Sequence, residues 1–165
     1  MVKPVAVEQA RAIPVELHQA FDTTLTLPLT TLFCRRYGPL PPVREVRGQD
    51  GVWGREGQTR VVVTSDGGTM SERLTAVESP DSFSYRLCDI TGPMGPLVDG
   101  IDGRWEFAPI GTGTLITWRW ILHPTGVGAR VVPLIARLWR GYARQALELL
   151  SDQLLTAEPP GGTPG

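Results

Sequence analysis

The chain has 165 residues, 41% of them hydrophobic, and a formal net charge of −1; it is long enough for one sizeable core, and its charge gives no global attraction to nucleic acid or anionic lipid. Its two cysteines, Cys34 and Cys88, form neither a disulfide framework nor a CxxC pair, so both are expected to be reduced. The segment Met1 to Ala12 carries Lys3, Glu8 and Arg11 without an apolar leader, and no apolar run elsewhere reaches bilayer length. The expectation is a cytoplasmic protein with no stable membrane insertion and no nucleic-acid partner.

Glu8 to Ile13 reads as a first strand stopped by Pro14, followed by a helix over Val15 to Leu25 and a second short helix over Leu29 to Arg35. Thr23, Thr24, Thr26, Thr30 and Thr31 are β-branched and unfavourable inside a helix, which blurs the boundaries here. From Val43 the pattern becomes strands: Val43 to Arg47, Gln58 to Thr64, Thr69 to Glu78, Ser82 to Asp89, Gly103 to Pro109 and Thr114 to Leu122. Between them lie Asp50-Gly51, Asp66-Gly67-Gly68, Ser79-Pro80-Asp81 and Gly111-Thr112-Gly113, turn sequences expected between antiparallel neighbours.

Thr114 to Leu122 places Ile116, Trp118, Trp120 and Leu122 on one side, and Thr117 and Arg119 on the other. Beyond Gly126 and Gly128 comes a helix with an apolar stripe, which includes Val131, Ile135, Leu138, Trp139, Tyr142, Ala146, Leu150 and Leu154. Arg137, Arg140, Arg144 and Glu148 fall mostly on its far side. At about 1.5 Å per residue, some 25 residues reach roughly 37 Å, enough to cross a small domain. Residues 158–165, Glu158-Pro159-Pro160-Gly161-Gly162-Thr163-Pro164-Gly165, have nothing to pack and are expected to be a disordered tail after one domain spanning 1–157.

The order of strand, two short helices, antiparallel meander and long helix is an α+β layout. In that order the chain resembles the superfamily of START domains, polyketide cyclases and the major birch-pollen allergen. The local matches are Glu72-Arg73-Leu74-Thr75-Ala76-Val77-Glu78-Ser79-Pro80 followed by Phe83-Ser84-Tyr85-Arg86-Leu87, and Gly113-Thr114-Leu115-Ile116-Thr117-Trp118. The resemblance covers about Glu8 to Leu155. It implies a helix-grip fold, in which a strongly curved sheet wraps the C-terminal helix around a cavity for an apolar or amphipathic small molecule.

Strand parity puts Phe83, Tyr85 and Leu87 on one face, and the superfamily's register implies that they point inward with Ser71, Arg73 and Thr75. Arg73 and Tyr85 would then orient a ligand carboxylate, ketone or phenol. The competing reading turns Arg73 to solvent or pairs it with Glu72, Glu78 or Asp89. Trp105 and Phe107 share parity, as do Trp118 and Trp120, and with Ile135 and Trp139 they either wall a ligand chamber or fill a core. Thr91 to Gly100 places Met94, Leu97 and Val98 among glycines, as either a lid or an apolar rim.

His123 is a candidate base at a pocket mouth, or a surface histidine beside Pro124; neither it nor His18 has a second ligand at metal spacing, so no metal is expected. No phosphate-binding loop or nucleophile elbow is present, and no cofactor is expected. Binding of a lipid-, polyketide- or sterol-like molecule is therefore the leading expectation. The alternatives are a cyclase, aromatase or dehydratase using Arg73, Tyr85 and His123, and a protein-interaction module. Both monomer and homodimer remain compatible with an open sheet edge.

Overall fold

A computed structural model describes residues 2–156, and the expected tail lies outside them. The elements in chain order are β1 (Val5–Ile13), α1 (Leu17–Thr26), α2 (Leu29–Leu32), β2 (Val43–Arg47), β3 (Thr59–Thr64), β4 (Thr69–Glu78), β5 (Ser82–Cys88), β6 (Val98–Ile110), β7 (Gly113–Pro124) and α3 (Val132–Thr156). All strands join one antiparallel sheet in the order β1-β7-β6-β5-β4-β3-β2. This is the helix-grip arrangement, with both short helices after the first strand.

The threonines of α1 are accommodated by back-bonding. Thr24 Oγ1 donates to the Ala20 carbonyl and Thr26 Oγ1 to that of Asp22, at 2.7 and 2.8 Å, so the hydroxyls find acceptors inside their own helix. Glu16 caps the helix by accepting from the Gln19 N–H at 3.1 Å. Helix α2 is shorter than expected, ending at Leu32 instead of Arg35.

Strand β6 starts at Val98, not Gly103, because it pairs with β7 along nearly its whole length, from Val98↔Pro124 to Ile110↔Gly113. Val98 is thus a buried strand residue, and only the segment before it is loop.

The helix α3 divides into two functional halves. From Ala143 onward, Ala143, Ala146, Leu147, Leu150 and Leu154 are buried and close the core; fully burying each such leucine contributes about 1.5–3 kcal/mol. The first half instead stands over a space. Trp139 is buried, while Val131 and Leu134 are 40% and 58% exposed at its edge.

Candidate functional site

A cavity of about 360 Å³ lies between the sheet and the first half of α3. Its lining comes from the end of α1, α2 and the segment after it, β2 to β7, Trp53 between β2 and β3, the segment before β6, and α3 as far as Tyr142. The walls are mainly apolar and aromatic, in the size range of small-molecule sites. Because Val131 and Leu134 are both lining and exposed, the cavity meets the surface near the start of α3.

The aromatic wall is built by register. Trp105 and Trp118 are direct cross-strand partners and stack with centroids 5.0 Å apart and planes 8° from parallel. Trp139 packs on Trp118 at 4.7 Å and on Trp120 at 5.4 Å. Tyr85 accepts hydrogen bonds from both Trp118 Nε1 and Trp120 Nε1 at 2.8 Å. Burial pushes the Tyr85 phenol far above its usual range, and the nearby Glu72 charge adds to that, so it stays neutral.

An ion pair lies in this apolar wall. Arg60 Nε and Nη2 meet Glu72 Oε1 at 2.7 and 2.6 Å, with the side chains only 7% and 5% exposed. The guanidinium lies over the Trp53 ring, 3.8 Å from its centroid, and Nη1 donates to Gln49 Oε1 at 3.1 Å. Burial raises the Glu72 carboxyl above its ordinary value, with Arg60 acting in the opposite direction. Arg60 and Glu72 face each other in the β3–β4 ladder, which sets the pair.

Of the residues expected at the site, Phe83, Tyr85, Leu87, Met94, Leu97, Trp105, Trp118, Trp120, Ile135 and Trp139 line this cavity. Phe107 does not; it is buried beyond the cavity, edge-on to Phe21 at 5.3 Å.

Two polar expectations need correction. Arg73 is exposed on the outer face of the sheet, opposite Arg86. A bulge between Leu74 and Ala76 causes this: Val77 pairs with Phe83, but one extra residue flips the parity before it, so Leu74 and Glu72 turn inward in place of Arg73 and Thr75. His123 also lies away from the cavity, its Nε2 2.7 Å from Asp102 Oδ2, while Asp102 Oδ1 accepts from Arg86 at 2.8 Å. His123 thus belongs to an outer-face charge network with Asp102 and Arg86.

Sequence reasoning missed Arg60 and Glu72. Their signal was parity: Arg60 shares a face with Val62, and Glu72 with Leu74, an apolar residue that marks the inward side. Among the described residues no group of histidine, cysteine, aspartate or glutamate has a metal-binding arrangement. No helix among them is long and apolar enough to cross a membrane.

A family model described as polyketide cyclase / dehydrase and lipid transport matches residues 4–154. No curated protein matches the chain. Among solved structures, norcoclaurine synthase from Thalictrum flavum, in complex with dopamine and hydroxybenzaldehyde, superposes with a TM-score of 0.70 at 13% identity, covering 96% of this chain and 90% of that one. A protein from Thermus thermophilus reaches 0.68 at 20% identity, covering 94% and 100%. The major latex-like protein 151 of Panax ginseng reaches 0.68 at 13%, covering 92% and 98%. At these identities the likeness establishes the fold.

Proposed function

The chain belongs to the polyketide cyclase / dehydrase and lipid transport family, and on that premise we propose that it binds a small hydrophobic or amphipathic molecule, lipid-, polyketide- or sterol-like, between the sheet and α3. The observation that carries this reading is the cavity of about 360 Å³, apolar over most of its wall and open near Val131 and Leu134. Phe83, Leu87, Met94, Leu97 and Ile135 supply apolar contact, and Trp105, Trp118, Trp120 and Trp139 a rigid aromatic surface. An aromatic occupant is consistent with the norcoclaurine synthase structure, which contains two small aromatic molecules.

Native mass spectrometry of gently purified protein tests for retained ligand, and titration with the neutral dye Nile red tests the cavity directly. Saturable dye binding that weakens on Leu87→Trp, a substitution filling the cavity, is expected. Dye binding unaffected by that substitution sinks the reading.

A second reading, a cyclase or dehydratase, draws support from Glu72. A buried carboxyl with a raised pKa beside a neutral phenol can hold and release a proton on a polyketide-like chain. In that case Glu72→Gln and Tyr85→Phe abolish turnover of a responsive substrate while Nile red binding persists. A cytoplasmic location, as monomer or homodimer, is part of the same proposal and fits the two free cysteines.

A further inference from the structure

The geometry points to a neutral hydroxyl compound as the cavity's occupant: it donates to Glu72 and accepts from Trp139, while the same scaffold bearing a carboxylate is refused. This rests on the binding reading above and adds the polarity of the molecule bound.

The polar groups of the wall are nearly all accounted for within the protein. Tyr142 donates to the Pro41 carbonyl at 3.0 Å, Thr24 to that of Ala20, and the indoles of Trp118 and Trp120 to Tyr85. Three are left over among the described residues, counting the O–H hydrogen of Tyr85, whose oxygen only accepts. Trp139 Nε1 is a buried donor with no acceptor among the described residues, on a side chain 1% exposed that lines the cavity. The Arg60 Nε hydrogen bond and the Nη2 contact both fall on Glu72 Oε1, so Glu72 Oε2 is an acceptor with no hydrogen-bond partner among the described residues. The buried Trp139 donor left unpaired carries a desolvation cost, which a hydroxyl can relieve by accepting that bond while donating to the free Glu72 oxygen.

An anionic head finds no cationic counterpart among the described residues. Among the described residues Arg60 is the one basic side chain lining the cavity, and it is committed to Glu72, Gln49 and the face of Trp53. Glu72 and Asp66, both in the lining, would repel a carboxylate entering an otherwise apolar space.

The test is isothermal titration calorimetry of the full chain at neutral pH with 2-naphthol, 2-methoxynaphthalene and 2-naphthoate, which share one flat scaffold. The expected order is 2-naphthol tightest, by about tenfold over each of the others, because only it supplies the donor. In Glu72→Gln, Arg60 takes the amide oxygen and the NH₂ faces the cavity, so the preference over 2-methoxynaphthalene disappears; Trp139→Phe weakens 2-naphthol severalfold. If Glu72→Gln does not fold, the wild-type order decides alone. Equal affinities, or 2-naphthoate binding best, overturn the inference and leave the binding reading intact. No binding of any of the three, together with no Nile red binding, removes both.

Discussion

The ring of Tyr85 occupies the space that a side chain on Gly103 would need: a Cβ there would lie 2.0 Å from Tyr85 Cζ. The two residues are cross-strand partners on β5 and β6, and the Tyr85 oxygen is held by two indole N–H groups, so the ring cannot swing aside freely. Gly103→Ala is expected to destabilise by about 1–3 kcal/mol or more through overpacking. Gly141 on α3 offers the contrast. Its Cβ would meet the Tyr37 ring at 2.0 Å, but that ring is only half-buried and Tyr37 has no side-chain hydrogen bond among the described residues. Gly141→Ala gains up to about 1 kcal/mol of helix propensity and should lie within about 1 kcal/mol of the parent. Urea unfolding of the pair checks this, and equal costs would contradict it.

Tyr85→Phe removes the shared acceptor of Trp118 and Trp120. Two indole donors lose their partner, and a loss of about 2–4 kcal/mol follows. Chemical denaturation measures the loss, and the indole emission should shift as the tryptophans lose their common bond. A cost near zero would mean that water replaces the phenol.

Arg60 and Glu72 should be costly to separate and cheap to replace together. Glu72→Ala leaves a buried guanidinium without its carboxylate and is expected to cost about 3–5 kcal/mol. The double substitution Arg60→Met with Glu72→Leu should lie within about 1 kcal/mol of the parent or above it, because the desolvation cost of both charges disappears. Additive losses in a double-mutant cycle would refute the pairing.

The raised pKa of Glu72 sets the sign of one contribution to pH-dependent stability. Its folded value lies above the unfolded value of 4.5, so the folded chain holds this proton more tightly. The corresponding stability is fully present below 4.5 and is lost as pH rises through the folded value. Unfolding measured from pH 4 upward should therefore show a falling contribution that Glu72→Gln flattens. An unchanged slope would mean that Arg60 fully offsets the burial.

Arg73, exposed on the sheet's outer face, and His123, paired with Asp102, both lie outside the cavity. Arg73→Ala and His123→Gln should leave Nile red affinity within about twofold, the usual reach of a surface change. A tenfold loss in either would place it in the binding machinery after all.

Much of the architecture could be read from local pattern. The β2 and β4 boundaries match the structure, and the alternation of Ile116, Trp118 and Leu122 identifies the inward face of β7. The late start assigned to β6 has a clear reason: the glycines at 103 and 100 look like loop signals, yet one admits the Tyr85 ring and the other lies beside Arg86. Their meaning depends on neighbouring strands that a one-dimensional pattern does not contain.

Sequence alone determined the α+β order and the shared parity of the aromatic residues, because these follow from periodicity and turn chemistry within short windows, and the family resemblance added the helix-grip expectation. Only the tertiary structure decided which polar groups enter the cavity. A single bulge in β4 exchanged Arg73 for Glu72, and Arg60 became its partner through the β3–β4 register. With a side-chain period of two, one extra residue turns a strand's polar groups to the opposite face, and such an insertion becomes visible only against the strand beside it.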